Sequence, residues 1–119
     1  MNIQHKYNSE NSGRGEFFIE ENGRTIAELD YEIDGDGVMD FYHTGVRPEY
    51  EGQGIAKELV LHGFDFAREN SMKVIPTCSY VARLFERLPE QRDLLKDSGM
   101  FEGGNAPNTN PACGIRFNQ

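Results

Sequence analysis

The segment "RPEYEGQGIAKELV", residues 47–60, places two glycines immediately before an amphipathic helix. Glycine loses more conformational freedom on folding than any other residue, and Lys57 in the first turn faces the positive end of the helix dipole. An ordinary helix would begin with Ser, Asp or Glu. A bound anion would offset these costs, because a glycine turn lets backbone N–H groups approach a phosphate. The segment therefore predicts a turn that binds an anion.

Upstream of this turn, the sequence predicts three antiparallel strands. Residues 16–21 and 24–33 are rich in apolar side chains and are joined at Asn22-Gly23, a dipeptide that suits a tight hairpin turn. A second turn at residues 34–37 leads into residues 38–46, which are rich in β-branched and aromatic side chains. The three strands should form a meander.

Downstream of the turn, the sequence predicts helix, strand and helix. The first helix runs from residue 54 to near Asn70, where we expect a left-handed C-cap, and its apolar residues recur at steps that line one face. Residues 72–77 are a short apolar fourth strand. The second helix should be capped by Thr77 or Ser79 and should end before Pro89.

These elements predict an α+β domain, that is, a mixed α/β fold with a mostly antiparallel sheet and two principal helices. Because the first helix crosses over between the third and fourth strands, these two strands should run parallel. Pro76 cannot donate a ladder hydrogen bond, so it marks a place where the two strands separate. The splayed strands would leave a slot with unpaired backbone groups and the anion-binding turn at one end.

Length and composition predict one cytoplasmic domain. The 119 residues carry a net charge of -8, which disfavours nucleic acid as a partner. No stretch is apolar enough to span a membrane, and the start lacks the apolar run of a secretory signal. We divide the chain into a flexible N-terminal segment, residues 1–15, a folded domain, residues 16–97, and a Gly-, Asn- and Pro-rich tail, residues 98–119. We expect a monomer or a weak homodimer.

The two cysteines, Cys78 and Cys113, have neither metal-ligand spacing nor the pattern of a disulfide framework. Reduced thiols are therefore expected, as is usual in the cytosol. No acidic residues stand out as metal ligands, so the sequence predicts no metal site.

The segment "GVRPEYEGQGIAKELV", residues 45–60, resembles the coenzyme A pyrophosphate loop of the GCN5-related N-acetyltransferases. In that loop, Arg or Gln is followed by two residues, Gly, one residue, and then Gly or Ala; Glu51, Gly54 and Ala56 occupy these positions here. With "HTGV" before it and "VIPTCSYV" after it, the chain is similar over residues 16–95 to a small subfamily of minimal acetyltransferase-like proteins. These proteins lack the usual helices between the first two strands, so the resemblance implies a minimal fold of this family.

The resemblance also implies binding of acetyl-coenzyme A and transfer of its acetyl group to an amine. Backbone N–H groups of the glycine turn would hold the pyrophosphate, and the backbone of the third strand would pair with the pantetheine amides. The binding residues implied in this way are Thr44, Gly45, Val46, Gln53, Gly54, Ile55, Ala56, Lys57, Cys78 and Ser79.

Two residues are candidates for catalysis, and each has a structural alternative. Strand alternation places His43 on one face with Phe41 and Gly45, beside the slot, where it would take a proton from the incoming ammonium. A histidine in such a strand more often has a packing role. Cys78 lies at the start of a helix, where the dipole favours a reactive thiolate; otherwise it is an inert buried thiol. It would either accept the acetyl group covalently or help to bind and protonate the departing coenzyme.

The resemblance implies acetyl transfer to a primary amine. Because acidic residues cluster around the third strand, we expect the acceptor to be cationic, either a protein lysine or a small cationic amine. The alternative is a coenzyme A-binding module that regulates a partner with little or no turnover. Glu51 in the loop favours this alternative, and so does Phe85, where many members of the family carry a tyrosine that protonates the coenzyme thiolate. A nucleotide-phosphate binder is a weaker third interpretation, because no Lys-Ser or Lys-Thr pair follows the glycines.

Overall fold

A computed structural model of the protein describes residues 2–8 and 13–96. Its framework is a five-stranded sheet in which the strands lie side by side in chain order. The strands are β1 (Gln4–Asn8), β2 (Arg14–Glu21), β3 (Arg24–Ile33), β4 (Val38–Val46) and β5 (Lys73–Ile75). The helices are α1 (Ile55–Glu69), α2 (Ser79–Arg87) and two short 3-10 helices, Pro48–Tyr50 and Pro89–Leu94. Within the described ranges, no helix combines the length and apolar character needed to cross a membrane.

The predicted meander is confirmed, and one further strand joins it. β2 pairs with β3 and β3 with β4, both antiparallel, and Asn22 and Gly23 form the first turn with φ angles of 54° and 80°. The expectation of a flexible N-terminal segment is wrong for Gln4–Asn8, which pairs antiparallel with β2. Most of these five residues are polar and exposed, so they lack the apolar alternation by which a strand is recognised in sequence.

Helix α1 lies close to its predicted bounds and buries the predicted face. Its buried residues are Ile55, Ala56, Leu59, Val60, Gly63, Phe64 and Ala67. Gly63 allows the helix to approach the sheet closely, because a Cβ there would lie 2.9 Å from Leu29 Cδ2 and 3.0 Å from Phe41 Cζ. The left-handed residue after the helix is Ser71, with φ 57°, and not Asn70, whose φ is -104°.

Helix α2 begins after Cys78, which takes the N-cap position instead of Thr77 or Ser79, and it ends before Pro89 as predicted. Its Phe85 ring stacks on Phe64 of α1 at 4.6 Å between ring centroids. Phe64 in turn lies parallel to Phe41 of β4 at 6.0 Å. This stack of three fully buried rings fixes both helices against the strand that borders the predicted slot.

The parallel pairing of β4 and β5 is confirmed, and it is short. Val38, Met39 and Asp40 pair with the three residues of β5, and Pro76 follows directly. The main-chain N–H of Cys78 then donates to the carbonyl of Phe41 at 2.8 Å. Beyond this bond the two segments separate, as the proline predicts.

The two faces of the sheet differ in character. The helices pack on the face that carries Leu29, Tyr31 and Phe41, which are fully buried. The intervening residues of β3, Glu28, Asp30 and Glu32, point to the opposite side and are half-exposed. We call this second side the open face.

Candidate functional site

The glycine turn before α1 forms an open helix N-terminus. Gly52 and Gly54 have φ angles of 82° and 77°, in the left-handed region that favours glycine. Gly54 is the N-cap and, having no side chain, makes no side-chain cap hydrogen bond to the helix. The first N–H groups of α1 therefore do not receive the N-cap side-chain acceptor that usually satisfies one of them. Apart from each glycine's own chain neighbours, no atom of residues 2–8 and 13–96 lies within 4 Å of a Cβ built on either glycine, so the turn borders open space in this part of the chain.

A cavity of about 190 Å³ lies against this turn. It is lined by Val46, Tyr50, Glu51, Gly52, Gly54, Ile55, Ala56 and Tyr80. The predicted binding residues that meet in its wall are Val46, Gly54, Ile55 and Ala56. Gln53 and Lys57 belong to the same turn and helix but are exposed and do not line the cavity.

The edge of β4 that faces β5 carries no partner strand where β4 approaches the cavity. The ladder with β5 ends at Asp40, and within residues 2–8 and 13–96 no backbone hydrogen bond joins residues 42–46 to a strand on that side. Thr44 and Gly45 belong to this edge, and Val46 connects it to the cavity. The structure thus places an unpaired strand edge end to end with the open helix N-terminus.

Two tyrosines of the cavity were not among the predicted binding residues. The Tyr50 hydroxyl donates to Glu21 Oε1 at 2.9 Å. Burial raises the pKa of the Tyr80 hydroxyl, which is therefore protonated near neutral pH. Phe85, in contrast, is fully buried in the ring stack with Phe64 and lies in the core. Tyr80 is recognisable in the sequence because it follows the start of α2, which borders the slot.

Cys78 is fully buried, and its Sγ lies 3.3 Å from Oγ1 of Thr44. The expectation of a reduced thiol is wrong in this structure, because Cys78 is disulfide-bonded. Oxidation state depends on which sulfur atoms the fold brings together, which residue spacing alone does not reveal. A disulfide sulfur is not a thiolate nucleophile, so the roles predicted for this thiol apply to a reduced protein only. Cys78 and Ser79 do not line the cavity, and Cys113 lies outside the described residues.

His43 lies on the open face together with two carboxyl groups. It is in direct register with Asp30 on β3. Its Nε2 atom is 3.5 Å from Oε2 of Glu28, which shares a face with Asp30. One ligand-type atom from each of the three side chains lies within 4.8 Å of the others. Glu28 and Asp30 are not among the predicted site residues, although the alternating acids in "AELDYE" indicate a polar face.

A β-bulge in β4 brings His43 to this face. Asp30 pairs with His43 while Tyr31 pairs with Phe41, so Tyr42 is the extra residue. Simple alternation predicts His43 on the face of Phe41, and that prediction is wrong because the bulge shifts the period by one residue. Bulges are common next to active sites, where they redirect a side chain.

Asp30 is the most perturbed carboxyl group of the open face. Burial, the negative charges of Glu28 and Glu16, and a hydrogen bond with Glu28 raise the pKa of Asp30 to about 8. Asp30 is therefore largely protonated at neutral pH in the folded protein.

Replacing Asp30 with asparagine is expected to stabilise the fold above neutral pH. In the unfolded chain Asp30 loses its proton near pH 4, whereas in the folded protein it keeps the proton until about pH 8. The wild type therefore loses folding stability as the pH rises from about 4 to about 8. The variant lacks this loss. We expect it to be more stable by about 1–2 kcal/mol at pH 8, because partial exposure screens the effect, and equal near pH 4. Urea denaturation at both pH values in EDTA measures this difference, and an identical pH dependence of the two proteins would contradict it.

Comparison with known proteins gives a consistent assignment. A family model described as GCN5-related N-acetyl-transferase matches residues 16–94. Protein NATD1 of Mus musculus is 36% identical over 77 residues, which cover 64% of this chain and 70% of that protein. Protein NATD1 of Danio rerio is 35% identical over 82 residues, with coverages of 68% and 74%. The NMR structure of a GCN5-like protein from Staphylococcus aureus matches with a TM-score of 0.60 at 27% identity, covering 76% of this chain and 89% of that one.

Proposed function

This chain belongs to the GCN5-related N-acetyltransferase family, and on that premise we propose that it transfers the acetyl group of acetyl-coenzyme A to a primary amine. The acceptor is a protein lysine or a small cationic amine. The observation that carries the proposal is the edge of β4 that is unpaired within the described residues and leads through Val46 into a cavity at a helix N-terminus whose N-cap is glycine. A ligand with a diphosphate at one end and amides along an extended arm matches both parts of this arrangement.

The diphosphate end fits the glycine turn. Backbone N–H groups of Gln53, Gly54, Ile55 and Ala56 would donate to its oxygens, and the helix dipole adds attraction. The exposed Lys57 contributes a positive charge at the same helix end. Glu51 also lines the cavity, and its carboxylate would repel the phosphates and weaken binding.

The arm fits the edge of β4. Its amides would pair with the backbone of Thr44, Gly45 and Val46 in the way that an added strand pairs with a sheet edge. This pairing would bring the thioester, whose C–S bond breaks during acetyl transfer, towards the middle of β4, where Thr44 precedes Gly45. Gly45 has no side chain, so an acceptor can approach from the open face.

His43 would then act as the general base. It accepts a proton from the ammonium of the acceptor, so that the amine nitrogen can bond to the acetyl carbon while sulfur leaves. Glu28, whose Oε2 is 3.5 Å from Nε2, stabilises the imidazolium that forms. Backbone N–H groups on the free edge of β4 stabilise the developing oxyanion. Tyr80 lines the cavity, and its protonated hydroxyl would return a proton to the departing thiolate.

A second candidate function is a coenzyme A-binding module with little or no turnover. Two observations favour it: Phe85 is part of the buried ring stack and has no proton to give, and Glu51 lies in the cavity wall. Incubation with acetyl-coenzyme A and a panel of amines and lysine peptides, followed by mass spectrometry, separates the two functions. Acetylated product supports the enzyme; tight coenzyme binding with no product from any amine supports the module.

Replacing Gly54 with alanine is expected to weaken coenzyme A binding at least tenfold, equivalent to about 1.4 kcal/mol. The φ angle of 77° strains a side chain, and the methyl group would enter the open space beside the turn. Gly37→Ala is the matched control, because Gly37 has φ 75° and equally open surroundings but lies in the turn between β3 and β4. Calorimetry measures the coenzyme A affinity of both variants. Equal affinity in the two variants would refute the assignment of this turn to the pyrophosphate.

A further inference from the structure

Glu28, Asp30 and His43 form a compact group of metal-ligand side chains on the open face. Glu28 and Asp30 lie two residues apart on β3 and share the open face, and His43 is the register partner of Asp30 on β4. All three side chains are half-exposed, and one ligand-type atom of each lies within 4.8 Å of the others. The three residues sit on paired strands, which hold their relative positions more rigidly than loops do.

The distance between His43 and Glu28 is informative. A charge-assisted hydrogen bond brings nitrogen and oxygen to about 2.7–2.9 Å. Here Nε2 and Oε2 are 3.5 Å apart. Tetrahedral Zn²⁺ with bonds of about 2.1 Å keeps its ligand atoms about 3.4 Å apart. The pair is therefore spaced like two ligands of one metal ion.

The donor types indicate which metals would bind. Imidazole nitrogen suits Zn²⁺, Co²⁺ and Ni²⁺, whereas Mg²⁺ and Ca²⁺ prefer sites made of oxygen alone. One histidine and two carboxyl groups supply three ligands once the metal ion displaces the proton of Asp30, which leaves at least one coordination position free. Because the group faces the open side of the sheet, that position points to solvent.

We propose that Glu28, Asp30 and His43 bind one divalent transition-metal ion, of which Zn²⁺ is the representative, on the open face of the sheet. The bound ion occupies the lone pair of His43 Nε2. An imidazole that coordinates a metal cannot accept a proton, so the ion inhibits acetyl transfer. Metal binding stands on the geometry alone, whereas the inhibition rests on the proposed function.

Cobalt titration tests the site directly. Co²⁺ is added to the full chain after removal of metals with EDTA, and its visible absorption reports coordination. We expect saturation at one Co²⁺ per chain. The affinity should fall at least tenfold in Glu28→Gln and in Asp30→Asn, and more in His43→Gln, because each variant removes one ligand. Equal cobalt affinity of the wild type and all three variants would overturn the proposal.

Glu32→Gln is the matched control, because Glu32 follows Asp30 at the next position of β3 on the same face and pairs at 4.0 Å with Arg14. It should bind Co²⁺ with the affinity of the wild type. An affinity loss equal to that of Asp30→Asn would show that Co²⁺ is attracted only by surface charge and would refute the site.

A test in the unaltered protein is NMR of the histidine rings during Zn²⁺ addition. The ring signals of His43 should shift on addition of one equivalent of Zn²⁺, whereas those of His62 should keep their chemical shifts. A shift of His62 without a shift of His43 would refute the metal site.

The inhibitory part has its own readout. Zn²⁺ should inhibit acetyl transfer with a midpoint that matches its dissociation constant, and Glu32→Gln should be inhibited equally. Full activity of the zinc-saturated protein would overturn the inhibition. If no amine is acetylated under any condition, the proposed function fails while cobalt binding still decides the metal site.

Discussion

Replacing His43 with alanine is expected to lower the turnover of acetyl transfer about a hundredfold, because the variant lacks the group that takes the proton from the acceptor ammonium. Coenzyme A affinity should stay within twofold of the wild-type value, since the glycine turn and the free edge of β4 do not involve this side chain. The loss should shrink as the pH approaches the pKa of the acceptor, where solvent already deprotonates the amine. Initial rates between pH 6.5 and 9.5, with calorimetry for coenzyme A, measure these effects.

His62→Ala is the control for this prediction. His62 is exposed on α1, where its ring meets Phe17 edge-on at 5.2 Å, so its loss should affect stability slightly and turnover hardly at all. A packing role for His43 predicts a different result. The His43 variant would then unfold at a lower temperature but keep normal turnover per folded molecule, which would contradict the assignment of the base.

Replacing Phe64 with alanine is expected to lower the free energy of unfolding by about 3–5 kcal/mol. The ring is fully buried between Phe41 and Phe85, so its removal leaves a cavity between α1, β4 and α2. Urea denaturation followed by circular dichroism measures the loss. Because both helices that border the site depend on this stack, coenzyme binding should fall together with the folded fraction.

Phe66→Ala is the matched control for Phe64. Phe66 is on the same helix but is partly exposed, and its ring contacts Phe17 at 5.5 Å near the edge of the sheet. Its loss should cost clearly less than that of Phe64. An equal cost for both substitutions would show that the stack does not anchor the helices.

Most of the fold is predictable from local patterns. The Asn22-Gly23 turn, the change of period after Gly54 and the position of Pro76 each reflect backbone constraints that act within a few residues. These constraints suffice for the meander, the crossover helix and the separation of β4 from β5. β1 escapes prediction because its pairing with β2 depends on main-chain hydrogen bonds, which the side chains of a polar segment do not reveal.

The site is only partly predictable from the sequence, because the surroundings of His43 depend on the register between β3 and β4. The glycine turn is visible in the sequence, since the residues that form it are also the residues proposed to hold the diphosphate. The partners of His43 are not visible, since a single bulge at Tyr42 decides which face His43 occupies and which residues of β3 it meets. The disulfide state of Cys78 is likewise a property of three-dimensional proximity.

The order of the strands along the sheet has a consequence for how this domain can diversify. Since each strand lies beside its sequence neighbour, the two groups proposed to deprotonate the acceptor, Glu28 and His43, are both encoded before Thr44. The groups assigned to the coenzyme, from Thr44 to Tyr80, are all encoded after them. Substitutions before Thr44 can therefore change the proposed acceptor side without changing the proposed coenzyme side. Related domains can therefore keep the segment proposed to bind coenzyme A and diverge in the segment proposed to meet the amine.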